Sequence, residues 1–268
     1  MGLIAVCYYS GMTLLQSLIL GIIEGVTEFL PISSTGHLIL ASTMLGIAQS
    51  EFVKTFEIAI QLGAILAVVA LYWRTFLDVG LLKKIVVAFI PTGIIGLSFY
   101  HILKTYLLGN NVVVLASLFI GGVIFILFER WYSRREDVEP ESAPITYRQA
   151  LAIGFFQAIA IIPGVSRSGA TIIGGMTLGI TRTSIVEFSF LLAVPTMLAA
   201  TGLDLLKTSV AFTPHEWLAL AIGFVVSFIV AIPSIRWLLA YVRNHSFMSF
   251  GVYRILLSLA FAMFLILS

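Results

Sequence analysis

Long apolar stretches dominate the chain and set its predicted elements. A lipid bilayer has a hydrocarbon core of about 30 Å, which a helix of about 20 mostly apolar residues crosses. Six stretches come close to that length, and we predict each as a transmembrane helix: 54–73, 85–103, 112–129, 187–206, 216–235 and 249–267. The hydrophobic pattern therefore predicts an all-α polytopic membrane protein.

Two further apolar regions are interrupted. Residues 13–46 are broken by Glu24, Glu28 and "PISSTGH", and residues 147–181 are broken by "PGVSRSGAT". Each half-run is too short to cross a bilayer. Short segments interrupted by glycine and proline at matching places in two halves indicate helix pairs that enter and leave on one side, around a shared site. We predict two such re-entrant helix hairpins.

The two interrupted regions also match each other in sequence. Shifted by 133 residues, "GIIEGVTEFLPISSTGHLIL" (21–40) aligns without a gap on "GFFQAIAIIPGVSRSGATII" (154–173), with Ser33 on Ser166 and Glu24 on Gln157. The offset is close to half the chain. We predict an internal repeat of one hairpin plus three spans, about 13–130 and about 147–267, within a single integral membrane domain, 1–268.

The composition agrees with a membrane protein and limits the kinds of partner and metal site that the chain can have. Hydrophobic residues make up 60% of the 268 residues and charged residues 10%, whereas a soluble domain has about 25% charged residues. A net charge of +2 gives no indication of a nucleic-acid partner. Cys7 is the only cysteine, which excludes a disulfide framework and a thiol metal site.

Loop charges predict the orientation. Three spans per repeat is an odd number, so the second repeat is expected to be inverted. One side, with both termini, then carries Lys54, Lys104 and Lys207. The other side carries eleven basic residues: Arg74, Lys83, Lys84, Arg130, Arg134, Arg135, Arg148, Arg182, Arg236, Arg243 and Arg254. Cytoplasmic loops are rich in Lys and Arg, so the side with eleven is expected in the cytoplasm. Both termini are then expected outside, and the hairpin tips near the midplane.

Glu24 and Glu28 lie one helical turn apart and point the same way. Two carboxylates at a water-exposed rim would have no special role. Between "LILGII" and "FLPIS", however, they are expected at membrane depth, where an ionisable residue indicates function. They would repel a phosphate unless a divalent cation, Mg²⁺ or Ca²⁺, lay between them. If no cation is bound, one of the two carboxylates is expected to act as a base.

"PISSTGH" places hydroxyls and an imidazole directly after these acids. We expect Ser33, Ser34 or Thr35 to cap a helix that begins near Gly36. A capped helix start with free N–H groups also binds anions. His37 has two readings from its position: a core hydrogen bond, or a proton carrier or nucleophile.

"PGVSRSGAT" adds a cation. By the loop count, Arg167 is the only basic residue far from a loop, and its burial requires an anionic partner. One interpretation is an ion pair with Glu24 or Glu28 that locks the two hairpins together. The other is a bound anion, since arginine suits bidentate contact with phosphate. Together the motifs favour a phosphate site, with donors from Ser166, Ser168, Gly169 and Thr171.

These motifs, with "KTFEIAIQLGAILAV" (54–68) and "EFSFLLAVP" (187–195), resemble the undecaprenyl-diphosphate phosphatase family, also called bacitracin-resistance proteins. The resemblance covers nearly the whole chain. It implies an inverted-repeat fold in the bacterial inner membrane, with a site open to the periplasm. Its implied activity releases phosphate from undecaprenyl diphosphate, which recycles the lipid carrier of peptidoglycan synthesis. The family's functional positions fall on Glu24, Glu28, Ser33, Ser34, Thr35, His37, Ser166, Arg167, Ser168 and Thr171.

The resemblance leaves the mechanism open. Ser34 activated by His37 is the first expectation for the nucleophile, direct attack by His37 the second and attack by water the third. A polyprenyl diphosphate lipid is the expected partner, and bacitracin competes for that lipid; a homodimer is left open. The competing class is a secondary transporter or flippase of a polyprenyl phosphate lipid, because inverted repeats and buried carboxylates also suit transport.

Overall fold

The computed structural model describes residues 12–102, 107, 110–133, 144–207 and 212–267. Cys7 and the predicted loop charges Lys104, Arg134 and Arg135 lie outside the described residues. Throughout the described part the fold is helical, with one short 3₁₀ turn at Thr75–Leu77. Its α-helices are α1 (Leu14–Thr27), α2 (Ser34–Met44), α3 (Glu51–Tyr72), α4 (Val79–Ile102), α5 (Asn111–Tyr132), α6 (Tyr147–Ile159), α7 (Arg167–Thr177), α8 (Arg182–Lys207), α9 (Pro214–Val242) and α10 (Met248–Leu267).

Six of these helices, α3, α4, α5, α8, α9 and α10, are long and apolar enough to cross a membrane. The six predicted spans are thereby confirmed, and the chain is a multi-pass membrane protein. Several helices extend past the predicted bounds: α9 ends at Val242 rather than 235, and α8 begins at Arg182 rather than 187. Helices continue into polar first and last turns because caps satisfy their free backbone groups, and hydropathy does not register those turns.

The four shorter helices flank the two interruptions. The helices α1 and α2 are separated by residues 28–33, here called the first break, and α6 and α7 by residues 160–166, the second break. The longest of the four, α1, has 14 residues and rises roughly 21 Å, less than the bilayer core. Each break falls inside one of the two interrupted regions, 13–46 and 147–181.

Local structure repeats between the two halves. Both α1 and α6 begin with a capping box. Gln16 donates through Nε2 to the carbonyl of Leu45, and Gln149 donates in the same way to Leu178, both at 3.1 Å. Helix partners correspond as well: α1 packs on α9 as α6 packs on α4, while α3 contacts α8 and α5 contacts α10. The division into two repeats stays a prediction, and these matched contacts agree with it.

Glycines allow the short helices to touch their long partners. A Cβ atom at Gly21 would lie 2.7 Å from the Gly223 carbonyl oxygen of α9, and one at Gly154 would lie 2.1 Å from the Ala88 carbonyl oxygen of α4. Such small residues let helix backbones approach closely inside a membrane. The helices leading into both breaks are thus held directly against neighbouring backbones.

The largest apolar cluster surrounds the first break. Phe29, Leu30 and Ile32 are buried there with side chains of α8. The rings of Phe29 and Phe190 meet edge to face, with centroids 5.1 Å apart, an arrangement that aromatic pairs prefer. This packing fixes the polar residues on either side of the break.

Candidate functional site

Each break ends in a serine with an unusual backbone. Ser33 has φ 71° and Ser166 has φ 76°, and they are the only non-glycine residues with positive φ in the part of the chain that the structure describes. Ser33 Oγ accepts from the Gly36 N–H at 3.3 Å, and Ser166 Oγ accepts from the Gly169 N–H at 3.2 Å. The predicted capping role is confirmed for Ser33. Strained residues of this kind concentrate at functional sites.

The two breaks touch each other. Ser168 Oγ donates to the Leu30 carbonyl at 2.9 Å, so the start of α7 contacts the first break. Arg167 Nη2 lies 2.9 Å from Glu28 Oε1, and both side chains are largely buried. The predicted ion pair between the two motifs is therefore present, with Glu28 rather than Glu24 as the partner.

Glu28 is shared between the two motifs. Its Oε1 accepts from Arg167, and its Oε2 accepts from Ser34 Oγ at 2.5 Å. Arg167 also donates through Nη1 to the Ser189 carbonyl at 3.0 Å, while its buried Nε–H has no hydrogen-bond partner. One donor of this guanidinium is thus free for a ligand, and a hydroxyl lies next to a carboxylate.

A cavity of about 220 Å³ opens beside this group. Its walls come from both breaks, from the first residues of α2 and α7, and from α3, α4, α6 and α8. The cavity collects a cation, a carboxylate and hydroxyls in one space, a combination suited to an anion that undergoes acid–base chemistry. Its lining includes the predicted site residues Glu28, Ser33, Ser34, Thr35, Ser166 and Arg167.

The remaining predicted residues do not line this cavity. Thr171 Oγ1 lies 2.6 Å from Ser189 Oγ, and Ser168 is bonded to the first break as described. Their hydroxyls thus hold α7 against its neighbours. A part in phosphate binding stays a prediction for Ser168, Gly169 and Thr171.

Glu24 is fully buried, and both of its carboxylate oxygens lack a hydrogen-bond donor. It interacts electrostatically with Glu28 and Glu57, both acidic, and with Arg167. No group of three His, Cys, Asp or Glu side chains that could hold a metal occurs among the described residues. One or two carboxylates nevertheless suffice for Mg²⁺ when substrate phosphates and water complete its shell. The orphaned oxygens of Glu24, beside Glu28, fit such an ion.

His37 is held from two sides. Its Nδ1 lies 2.8 Å from the Ser33 carbonyl oxygen and its Nε2 lies 2.7 Å from the Tyr253 hydroxyl. The His37 and Tyr253 rings are nearly parallel, with centroids 5.6 Å apart. Because Ser34 donates to Glu28, the group beside the Ser34 hydroxyl is a carboxylate and not the imidazole. The catalytic parts of Ser34 and His37 stay predictions.

The burial of Arg254 contradicts one prediction. The expectation that Arg167 is the only basic residue far from a loop is wrong, because Arg254 lies inside α10 and is fully buried. Its count among the cytoplasmic loop charges is wrong for the same reason. The sequence held the signal, since position 254 falls within the predicted span 249–267. Without Arg254, ten of the eleven basic residues remain on the predicted cytoplasmic side, against three.

Four further polar residues of the cavity wall, Gln61, Thr92, Gln157 and Thr196, were not predicted as site residues. Gln157 is buried and donates through Nε2 to Thr92 Oγ1 at 2.9 Å and Thr196 Oγ1 at 3.0 Å. Gln157 is the repeat counterpart of Glu24 at the 133-residue offset, which is the signal that could have identified it.

The fold and the site together define a polytopic membrane protein with a polar, anion-suited site at the meeting point of two helix breaks. Comparison with known proteins identifies the family. Residues 17–260 match the family described as Bacitracin resistance protein BacA. The undecaprenyl-diphosphatase of Aquifex aeolicus is 52% identical over 94% of this chain and 99% of its own length. That of Persephonella marina is 48% identical over 95% of this chain and 100% of its own length. The chain belongs to the BacA family of bacitracin resistance proteins, as the two motifs predicted.

Proposed function

We propose that the protein is an undecaprenyl-diphosphatase. It hydrolyses undecaprenyl diphosphate to undecaprenyl phosphate and inorganic phosphate, which recycles the lipid carrier for peptidoglycan synthesis. It confers resistance to bacitracin, an antibiotic that competes for the same lipid. The observation that carries this proposal is the Arg167–Glu28–Ser34 group beside a cavity at the junction of the two breaks. The names of the relatives agree with it.

In this proposal the polyprenyl tail stays in lipid and only the diphosphate enters the cavity. The free Nε–H of Arg167 is the first contact for the terminal phosphate. The hydroxyls of Ser33, Thr35 and Ser166 line the same space. Arginine and hydroxyl donors stabilise the charge that develops on the phosphoryl oxygens, which is the largest contribution expected in phosphoryl transfer.

The hydrogen bond from Ser34 to Glu28 supports a covalent route. Ser34 Oγ attacks the terminal phosphorus while Glu28 Oε2 takes its proton. The bond from that phosphorus to the bridging oxygen breaks, and undecaprenyl phosphate leaves. Glu28 gives its proton to that leaving group and becomes a carboxylate again. Water then attacks the phosphoserine and gives a proton to Glu28, the bond from phosphorus to Ser34 Oγ breaks, and Glu28 passes the proton to Ser34 Oγ as inorganic phosphate is released. Attack by His37 and direct attack by water are the alternatives.

The experiment uses the purified chain in detergent with undecaprenyl diphosphate labelled in its terminal phosphate. We expect release of labelled inorganic phosphate. A transporter or flippase would release none, because detergent leaves no compartments, and that result would refute the proposed activity. Quenching samples within milliseconds in acid and in alkali separates the routes: phosphoserine survives acid, phosphohistidine survives alkali, and unlabelled protein in both supports attack by water.

The arrangement in the membrane is part of the same proposal. Two inverted repeats, about 13–130 and 147–267, each contribute one re-entrant hairpin, both termini lie outside, and the cavity opens to the periplasmic side of the inner membrane. The loop charges and the matched capping boxes support it. We expect a cysteine at Thr35, in a Cys7→Ser chain, to react with an impermeant maleimide added outside whole spheroplasts. Reaction only after the inner face is exposed would reverse the orientation. A homodimer stays a prediction.

A divalent cation is the last element of the proposal, held by Glu24 and Glu28. Bound there, Mg²⁺ or Ca²⁺ would offset the negative charge that the acids present to phosphate. We expect EDTA to abolish turnover and either ion to restore it. Glu24→Gln should raise the ion concentration for half-maximal rate about tenfold or more, roughly 1.4 kcal/mol of binding free energy. The exposed Glu51→Gln is the control, and full activity in EDTA would contradict the cation.

A further inference from the structure

Arg254 of α10 lies at the point where both breaks meet α5. It is fully buried, and its hydrogen bonds are all to backbone carbonyls. Nε donates to Leu118 at 3.3 Å, Nη1 to Pro31 at 3.3 Å and Val165 at 3.0 Å, and Nη2 to Ser117 at 3.0 Å and Gly164 at 2.9 Å. One side chain therefore joins the first break, the second break and α5.

These contacts use the whole guanidinium. An arginine has five N–H donors, and Arg254 meets five carbonyl oxygens, so no donor remains for a substrate. The ion pairs in the described part of the chain are made by Lys54, Arg167 and Arg182. The charge of Arg254 is therefore balanced by carbonyl dipoles. Room for it is left by Gly121, where a Cβ atom would lie 2.1 Å from Nη2.

The bonded carbonyls lie next to the residues of the cavity. A trans peptide directs its C=O and the following N–H in opposite directions. Because the Val165 carbonyl points to Arg254, the N–H of Ser166 is directed away from it, and Ser166 lines the cavity. Ser166, which directly precedes Arg167, also has a positive φ. The contact with Pro31 similarly holds the segment that leads to Ser33.

We propose that Arg254 is a positioning residue of the site: by tying the carbonyls of both breaks to α5, it holds Arg167 in register with Glu28 and Ser34 across the cavity. The preceding residue acts on the same region, since Tyr253 contacts His37. The inference rests on the proposed function only where turnover is the readout, because the geometry of the breaks can be measured without substrate.

The test compares three variants with two controls. Arg254→Met removes every donor, Arg254→Lys keeps the charge with at most three donors, and Gly121→Ala displaces the guanidinium while leaving it in the chain. Arg182→Met is the matched control, because it removes a largely buried guanidinium that pairs with Glu129 and lies over the rings of Tyr132 and Phe247, residues outside both breaks. Gly202→Ala is the second control, since a Cβ there meets nothing within 4 Å.

For Arg254→Met we expect kcat to fall about 100-fold, the effect of small misplacement of reacting groups, with KM changed less than threefold by the same reasoning. Arg254→Lys and Gly121→Ala should lie between this variant and the wild type. Hydrogen–deuterium exchange should rise in peptides covering 28–36 and 162–169 of Arg254→Met, and not in those of Arg182→Met. Both measurements are made on protein that elutes as a single folded species.

A folded Arg254→Met or Gly121→Ala protein with wild-type kcat and unchanged exchange in both peptides would overturn the inference. Equal loss of kcat in Arg182→Met would also overturn it, because the effect would then be general destabilisation. If Arg254→Met does not fold, Arg254→Lys and Gly121→Ala decide by the same criteria. If the wild type releases no phosphate, the proposed function fails, while the exchange measurement still decides whether Arg254 holds the breaks.

Discussion

Arg167→Ala is expected to lower kcat by about 10³-fold or more, the range that an arginine supplies to phosphoryl transfer. The variant loses the only guanidinium with a buried, unpartnered donor in the described part of the chain, and with it the ion pair between the two motifs. Phosphate release from undecaprenyl diphosphate, measured against the amount of folded protein, checks this.

The control addresses stability. Arg167→Ala leaves the buried Glu28 without its cation, which costs about 3–5 kcal/mol in a typical buried pair. The double variant Arg167→Ala/Glu28→Gln removes that unpaired charge and should recover part of the thermal stability. It should recover none of the activity. A double variant that hydrolyses the lipid at near wild-type rate would show that Arg167 is not the anion contact.

Glu28→Gln is expected to lower kcat by about 10²- to 10⁴-fold, the contribution of a general base. The carboxylate accepts simultaneously from Arg167 and Ser34. A glutamine places an NH₂ group at one of those two positions, so it accepts from only one of the two donors, and it has no carboxylate to take the Ser34 proton. Rapid-quench measurement of the labelled protein and of released phosphate separates loss of attack from loss of binding.

The matched control is Glu57→Gln. Glu57 Oε1 also accepts from a serine hydroxyl, that of Ser42 at 3.1 Å, but Glu57 does not line the cavity. We expect this variant to keep most of its turnover. If Glu28→Gln and Glu57→Gln lose activity equally, the effect of Glu28 does not come from its contact with Ser34. Wild-type activity of Glu28→Gln would exclude it as the base.

The sequence predicts the features of this protein that depend on order along the chain. The six spans, the two breaks and the serine cap follow from hydropathy and local chemistry, and each is present. The sequence does not show whether Glu24 or Glu28 is the partner of Arg167. Glu24 lies in α1 and Glu28 caps its end one turn later, and only the packing of α7 against the first break brings Arg167 to Glu28.

Arg254 shows a second limit. Its acceptors are backbone carbonyls, which every residue carries, so no side-chain type marks the positions that it binds. Its presence within an apolar stretch indicates burial, but its partners come from segments more than 80 positions away in the sequence. The Ser34–Glu28 contact is similarly hidden, because the five residues between them contain the turn that brings the two side chains together.

The short helix that begins each half packs on a long helix of the other half, and this affects the order in which the site assembles during synthesis. Because α1 packs on α9 through Gly21, the first short helix leaves the ribosome long before residues 214–242 exist to receive it. The corresponding helix of the second half, α6, has no such delay, because its partner α4 has already been made when α6 emerges. The site is therefore completed late in synthesis. Until α9 is made, α1 with Glu24 lacks the helix on which it packs, and a chain that stops before α9 leaves that part of the site without its neighbour.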